Sequence, residues 1–383
     1  MPSALRPLEG LTVLDLTRVL AGPYATQALG DLGAEVWKVE HPSLGDETRA
    51  WGPPFVGEQS AYFLSVNRNK RSAALDLHVP RDLECVRRAA EVADVIVENF
   101  LPGALASLGL DLKELRARRP ELVTCSITGF GQDGPYANLP GYDAVLQGFT
   151  GLMSVTGEPG GKPLKVGVAL VDVLTGVHAA AAILGALVGR FRGGPGAALD
   201  LALFEVGVAS LVNVAQGALA TGVPARRHGN AHPHIVPYQT FETRDGALVV
   251  AVGNDGQWRR LCEALGLTDL AGDERLRANP GRVLHRAAVV DALGRRLMER
   301  TRDEWLERLA AARVPAGAVR EVHEVVRDPA LSARGMIHDT QLRGGTRAEL
   351  FGLPWRVDGE RPPLAFPPPA LGEHTETFRA RFG

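Results

Sequence analysis

The feature that most constrains the fold of this chain is an alternation of short apolar strands and helices near its start. Residues 11–16 (LTVLDL) form a β-leaning apolar run, and residues 36–39 (VWKV) form a second. Between them, residues 21–32 (AGPYATQALGDL) place small and apolar side chains at helical spacing, with Gly33 as a stop. Parallel strands need a crossover of this kind. The pattern returns as a strand at 72–77, a helix around 82–92, a strand at 94–97, a polar helix at 112–118 and a strand at 122–127. Repeated strand–helix alternation predicts an α/β fold, a parallel sheet with helices on both faces. Residues 170–188 are Ala-rich and predict one buried helix, broken at 192–196 (RGGPG), and residues 199–204 predict another strand.

Residues 222–230 (GVPARRHGN) read as a loop or linker. A smaller unit follows, with strands at 238–241 and 247–252 joined by a turn at 244–246, then helical, charged sequence to Arg313. Residues 362–375 (PPLAFPPPALGEHT) are Pro-rich and predict an extended surface segment.

With 45% apolar and 22% charged residues, the chain has ample material for a core. Forty-two Lys and Arg against 44 Asp and Glu leave a net charge of -2, which argues against a nucleic-acid partner. An anionic ligand must then be held by local basic clusters. Cys85, Cys125 and Cys262 are too few and too scattered for a disulfide framework or a zinc ribbon, as suits a reducing cytoplasm. The first ten residues have neither the apolar stretch of a signal peptide nor the basic face of a transit peptide. No stretch reaches ~20 uninterrupted apolar residues, the length of a membrane span. The run 166–188 is interrupted by Asp172, His178 and glycines. The expectation is a soluble cytoplasmic protein with no membrane partner.

Two phosphate motifs are set aside. Residues 157–162 (GEPGGK) are one residue short of a Walker A loop, with Pro163 where a hydroxyl should stand. The first strand–helix turn lacks G-x-G-x-x-G, although Glu40 ends the second strand where a ribose-binding acid would lie. Residues 67–72 (NRNKRS) cluster Arg68, Lys70 and Arg71, which suits either a phosphate grip or a solvated turn. Asn99 and Phe100, just past the strand at 94–97, suit adenine reading and stacking, or merely a turn.

Asp172 opens the Ala-rich helix, where a buried carboxylate must be compensated. It is either a helix cap or a nucleophile held at the edge of a cleft. His228, His232 and His234 lack a paired carboxylate and are broken by Pro233, so they favour an anionic ligand over a metal. No G-x-S-x-G elbow is present.

Taken together, eight segments in order resemble the class III CoA-transferases, the family of formyl-CoA transferase and CaiB-like enzymes. They are LTVLDLTRVLAGPYATQALGDLGAEVWKVEHP, SVNRNKRSAALDL, DVIVENFLPGAL, CSITGFGQDGPY, PGYDAVLQGFTGLMSVTG, KVGVALVDVLTGVHAA, GNAHPHIVPYQTF and LGEHT. Within the family the chain is similar in particular to the succinyl-CoA:glutarate (hydroxymethylglutarate) branch, through WGPPFVGEQSAYFLSVNRNKRS and HIVPYQTF.

The resemblance places the family's catalytic aspartate on Asp172, its CoA-contacting pair on Asn99 and Phe100, and its basic turn beside the CoA phosphates on Lys70 and Arg71. It implies a Rossmann-like large domain over 1–205, a linker over 206–230, a small α+β domain over 231–320 and a C-terminal segment over 321–383 that returns to the large domain. Two such subunits are expected to interlock as a homodimer. Some contacts of formyl-CoA transferase do not carry over: Leu20 replaces a glutamine, Thr128 a lysine and Ser107 an arginine. Its glycine-rich loop is replaced by GNAHPHIVPY. These departures point away from formate and oxalate.

The implied reaction moves CoA from an acyl-CoA to a carboxylic acid through an aspartyl mixed anhydride and an aspartyl-CoA thioester. It needs neither a metal nor a cofactor, CoA thioester being the substrate. A dicarboxylic acceptor needs a cation for its unreacted end. Arg18, at the carboxyl end of the first strand, is favoured over Arg226, Arg227, His232 and His234. The rivals are an α-methylacyl-CoA racemase and a non-catalytic CoA-ester binder. Against the racemase, its G-H-D motif reads Gly141-Tyr142-Asp143 here, and His178 lies on a different helix face from Asp172.

Overall fold

The computed structural model describes residues 3–383. It divides into two compact units: Met1–Leu152, Lys165–Val223 and Pro329–Gly383 form the first, and Met153–Leu164 with Pro224–Asp328 form the second.

The first unit is built on a six-stranded parallel sheet: β1 Thr12–Leu16, β2 Glu35–Glu40, β3 Lys70–Ala74, β4 Val95–Glu98, β5 Val123–Thr128 and β6 Ala198–Ala202. Their order is β3-β2-β1-β4-β5-β6. The chain thus winds outward one way from β1 and then the other. Strands buried on both faces must be apolar almost throughout, and successive side chains take opposite sides. Val13, Val36, Val95 and Val97 face helices α1 (Ala21–Asp31) and α4 (Leu170–Phe191). Leu14, Trp37, Val39 and Ile96 face α2 (Pro80–Val92) and the C-terminal helix α8 (Thr375–Phe382). Helix α1 can approach α4 closely only because residue 176 is glycine: a Cβ there would lie 2.7 Å from the Ala21 carbonyl oxygen.

Four expectations need correction. The strand expected at 72–77 begins at Lys70 and ends at Ala74, so the basic cluster belongs partly to the strand. The strand expected at 199–204 ends at Ala202, opposite Thr128, where its partner ends. With no ladder left, Leu203–Ala209 turns helical. The span expected to be a linker, 206–230, is helical over much of its first half, including Val212–Thr221. Finally, Asp172, His178 and the glycines do not interrupt α4, which is long and apolar enough to cross a membrane. It is nevertheless a core helix. Val171, Thr175, Ala179, Ile183 and Leu187 recur along one buried face, while Val177, Val188 and Phe191 are exposed, so it is not buried all round.

The returning C-terminal segment is tied to the first unit. Ala365 and Phe366 donate backbone N–H groups to Asn69 Oδ1 at 2.8 and 2.9 Å, and Gly372 N donates to Ser72 Oγ at 2.9 Å. Phe378 and Phe382 then meet Trp37 edge-on, at 5.4 and 5.9 Å between ring centroids.

The second unit carries a three-stranded antiparallel sheet of β7 (Tyr238–Glu242), β8 (Ala247–Ala251) and β9 (Ala316–Ala318), with β8 central. Helices α5 (Asp255–Leu265), α6 (Arg286–Leu297) and α7 (Arg302–Ala311) bury Trp258, Leu293 and Trp305 against it. Thr301 and Glu304 close a capping box at the start of α7. Fully buried Arg282 is satisfied by Asp255 at 2.8 Å and by the Val236 carbonyl at 2.8 Å.

Candidate functional site

A cleft of about 330 Å³ opens beyond the carboxyl ends of β1, β4 and β5, where ligands of open α/β sheets gather. Asp172, in the first turn of α4, lies in its wall with Arg18, Val19, Asn99, Phe100 and Tyr142.

Asp172 does not cap its helix. That role falls to Asp143, in the first turn of α3 (Asp143–Phe149), whose Oδ1 accepts from Val171 N at 2.8 Å and Asp172 N at 3.2 Å. Gln147 Nε2 steadies the other oxygen of Asp143 at 2.7 Å and also donates to the Val168 carbonyl at 3.1 Å. The Asp172 carboxylate is thereby left for the cleft. Burial, with the like charge of Asp143 added, pushes its pKa up to about 7. Tyr62 faces the same acids. Burial first, then Asp172, Asp143 and Asp46, push its phenol up to about 12.

Arg18 lies across the cleft wall, its Nη1 2.8 Å from Glu47 Oε1 and its guanidinium 5.6 Å from the Phe100 ring centroid. The Asn99 side chain is committed to the Arg18 backbone. It accepts from Arg18 N at 2.9 Å and donates to Arg18 O at 2.8 Å, so its amide is not free to read a base. Val19, a β-branched residue, has φ +71, a left-handed backbone that costs on the order of 1–3 kcal/mol.

Sequence reasoning missed a second, smaller cleft of about 190 Å³, which shares Arg18 and Phe100 with the first. Its wall includes His41 and His78. The signal was available: both histidines lie just past the carboxyl ends of β2 and β3.

Lys70 and Arg71 are not in either cleft. Lys70 Nζ spends its three donors on Asp15 Oδ2, Asn67 Oδ1 and the Pro23 carbonyl, at 3.0, 3.0 and 2.9 Å, in a side chain with no exposure. Although burial alone would raise the Asp15 pKa, Lys70 and Lys38 hold it down to about 2. Arg68 is paired with Asp31 inside the unit. Arg71 lies over Trp37 and Phe366, 5.4 and 5.2 Å from their ring centroids, in a different cleft near the start of β2. Arg68 and Lys70 of the cluster are therefore internal anchors, and Arg71 alone opens onto a cleft.

His232 and His234 belong to the second unit, 6.2 Å apart by ring centroids. Arg286 fixes their loop by donating to the carbonyls of His232 and Pro233, both at 2.9 Å. Burial and His234 hold the His232 pKa below its ordinary value. Arg227 is spent on the carbonyls of Ser154 and Gly161. Among the described residues, no three His, Cys, Asp or Glu side chains are arranged to hold a metal ion. No histidine is among the described residues lining the Asp172 cleft, and His178 is exposed elsewhere on α4. The acid and base of a racemase are thus not paired there.

The family model for CoA-transferase family III matches residues 8–375. The chain is similar to the succinate–glutarate CoA-transferase of Agrobacterium fabrum, at 45% identity over 382 residues, covering 98% of this chain and 95% of that one. It is 41% identical to the succinyl-CoA:glutarate CoA-transferase of Homo sapiens over 371 residues, covering 97% and 85%. Among solved structures, a CAIB/BAIF family protein from Brucella suis superposes with a TM-score of 0.87 at 45% identity, covering 98% of this chain and 99% of that one.

Proposed function

Because the chain belongs to CoA-transferase family III, we propose that Asp172 is the carboxylate through which it moves CoA from succinyl-CoA or another dicarboxylyl-CoA to a carboxylic acid. The observation that carries this reading is a carboxylate relieved of capping, half-buried in the wall of a cleft and poised near neutrality. An Asp172 oxygen attacks the thioester carbonyl, and CoA leaves as its thiolate, giving a mixed anhydride. The thiolate attacks the aspartyl carbonyl, releasing the donor acid and leaving an aspartyl-CoA thioester. The acceptor carboxylate attacks that thioester, the thiolate leaves again, and its attack on the acceptor acyl carbon forms the new acyl-CoA and restores Asp172. Burial protects the anhydride from water.

The two adjoining clefts give a long CoA ester room. Its nucleotide end is assigned to the cleft of His41 and His78, and its thioester to that of Asp172 and Phe100. The names of the Agrobacterium and human relatives support a C4 and a C5 diacid as the exchanging pair. Arg18 is assigned to the unreacted carboxylate, since its guanidinium already holds one from Glu47. His232 and His234, in the second unit, are proposed as partners for an anionic ligand. No cofactor takes part. A second copy of the chain completes the enzyme as a homodimer, supported by the exposed Phe191, Val212 and Leu219. The three thiols are free and buried, which suits a cytoplasmic setting.

The test is transfer from succinyl-CoA to glutarate by Asp172→Ala, which is inactive on this reading while still binding CoA. Hydroxylamine modifies Asp172 only after incubation with succinyl-CoA. Near wild-type transfer by the variant overturns the assignment.

A further inference from the structure

Three successive residues, Thr17 and the cleft-lining Arg18 and Val19, are each held by a different side chain. Lys38 Nζ donates to Thr17 O at 2.7 Å. Asn99 brackets Arg18 through its N and O. Both carboxylate oxygens of Asp46 accept from Val19 N, at 3.3 Å each. The peptide linking Arg18 to Val19 is therefore gripped at both ends, its carbonyl by Asn99 and its N–H by Asp46. Rotation of that plane sets φ of Val19, the residue in the left-handed region at +71.

The grip is itself well supported. Lys38 and Asp46 pair at 2.9 Å with both side chains wholly buried. Asp46 also accepts from Thr48 N and Oγ1, at 3.0 and 2.7 Å. Its own N–H donates to Glu40 at 3.0 Å, and Glu40 takes Nε and Nη2 of Arg49 at 2.7 Å each. On the far side of the turn, a Cβ at Gly22 would lie 2.4 Å from Thr17 Cβ, so helix α1 starts hard against the end of β1. A left-handed residue gives the reversal that this close start demands, and it brings Arg18, Val19, Leu20 and Ala21 to the cleft of Asp172.

A backbone strain of this kind persists only where the surroundings over-determine it. We propose that Asn99, Asp46 and Lys38 are positioning residues for CoA transfer, a clamp that holds the Arg18–Val19 turn against the preference of Val19. The Lys38 and Asp46 side chains are wholly buried, so, although Asp46 stands in the wall of the His41 and His78 cleft, both act on the Asp172 cleft through the turn. The inference rests on the assignment of the Asp172 cleft as the transfer site.

A double-mutant cycle on the full chain tests it, with succinyl-CoA and glutarate as the probes. Asn99→Ala lowers kcat per folded enzyme about tenfold, equivalent to about 1.4 kcal/mol, as the turn relaxes. Glycine adopts the left-handed conformation without that cost, so in a Val19→Gly background the same change costs less than about twofold. Asp46→Asn, with folding checked by near-UV circular dichroism, follows the same pattern. A direct contact between Asn99 and substrate, or a merely structural role, gives equal fold-losses in both backgrounds. That result overturns the clamp. Transfer retained by Asp172→Ala instead removes the site assignment on which the clamp rests, so the two failures are told apart.

Discussion

Asp143 reaches across from the helix Asp143–Phe149 to accept the backbone N–H of Asp172 at 3.2 Å, and the N–H before it at 2.8 Å. The two acids divide the work of a helix start. Asp143 satisfies the open amides, and Asp172 keeps its carboxylate for the cleft. Burial raises the Asp172 pKa first, and the charge of Asp143 beside it adds to the rise.

A pH profile follows. On the proposed mechanism Asp172 attacks as a carboxylate, so kcat/KM for succinyl-CoA rises with pH through about 7. Asp143→Asn keeps a side-chain oxygen for the helix amides and removes the opposing charge. The rise then moves to lower pH but stays above the ordinary aspartate range, since burial is the larger cause. A profile unmoved by the substitution would show that Asp143 does not tune Asp172.

Stability carries the opposite sign. A carboxyl whose pKa is raised in the folded state binds protons there that the unfolded chain has already lost. Stability therefore falls as pH rises from about 4 to about 7. Asp172→Asn removes that penalty. It stabilises the fold by about 1–4 kcal/mol at pH 8 and by less at pH 5, in denaturant titrations at both values. Equal effects at the two pH values count against a raised pKa.

If Arg18 holds the unreacted carboxylate, acceptor selectivity depends on it. With glutarate, succinate and butyrate compared as acceptors, Arg18→Ala loses about 1.5–3 kcal/mol in kcat/KM for the diacids and little for the monoacid. Part of the guanidinium is open to solvent, which keeps the loss below that of a buried pair. An unchanged diacid-to-monoacid ratio removes Arg18 from this role.

Lys70 is expected to matter for folding rather than for binding. Lys70→Met leaves Asp15 without its nearest cation and costs about 3–5 kcal/mol of stability, measured by urea unfolding. CoA affinity of the folded fraction, by calorimetry, stays within about twofold, because no Lys70 donor reaches either cleft. A selective loss of CoA binding with stability intact would return Lys70 to the site.

If two chains interlock, dilution does not separate them. Sedimentation at nanomolar concentration then shows a dimer, and a folded, stable monomer refutes the assembly.

The sheet was legible because its central strands are mostly apolar on both faces and its crossovers keep helical spacing, so Leu14 and Val36 announce themselves whatever the tertiary detail. Asp172 was legible as an exceptional charge in an apolar helix, yet only the neighbouring Asp143 removes the capping role from it, and it lies 29 residues earlier. Lys70 misled for a related reason. A lysine that pairs with Asp15 across the core looks, in a sequence, the same as one in solvent, and a two-residue shift in where β3 begins changed its meaning. The clefts were only partly visible, since His41 and His78 come together through strand order rather than any local motif.

Trp37 and the rings that cover it, Phe378 and Phe382, are more than three hundred residues apart in sequence. A ribosome makes the indole long before its cover, so a nascent chain carries it bare while all the residues between are added. That face of the sheet closes only once residues 375–382 have emerged. A product cut short before them shows chaperones and proteases an open apolar face that the finished protein hides.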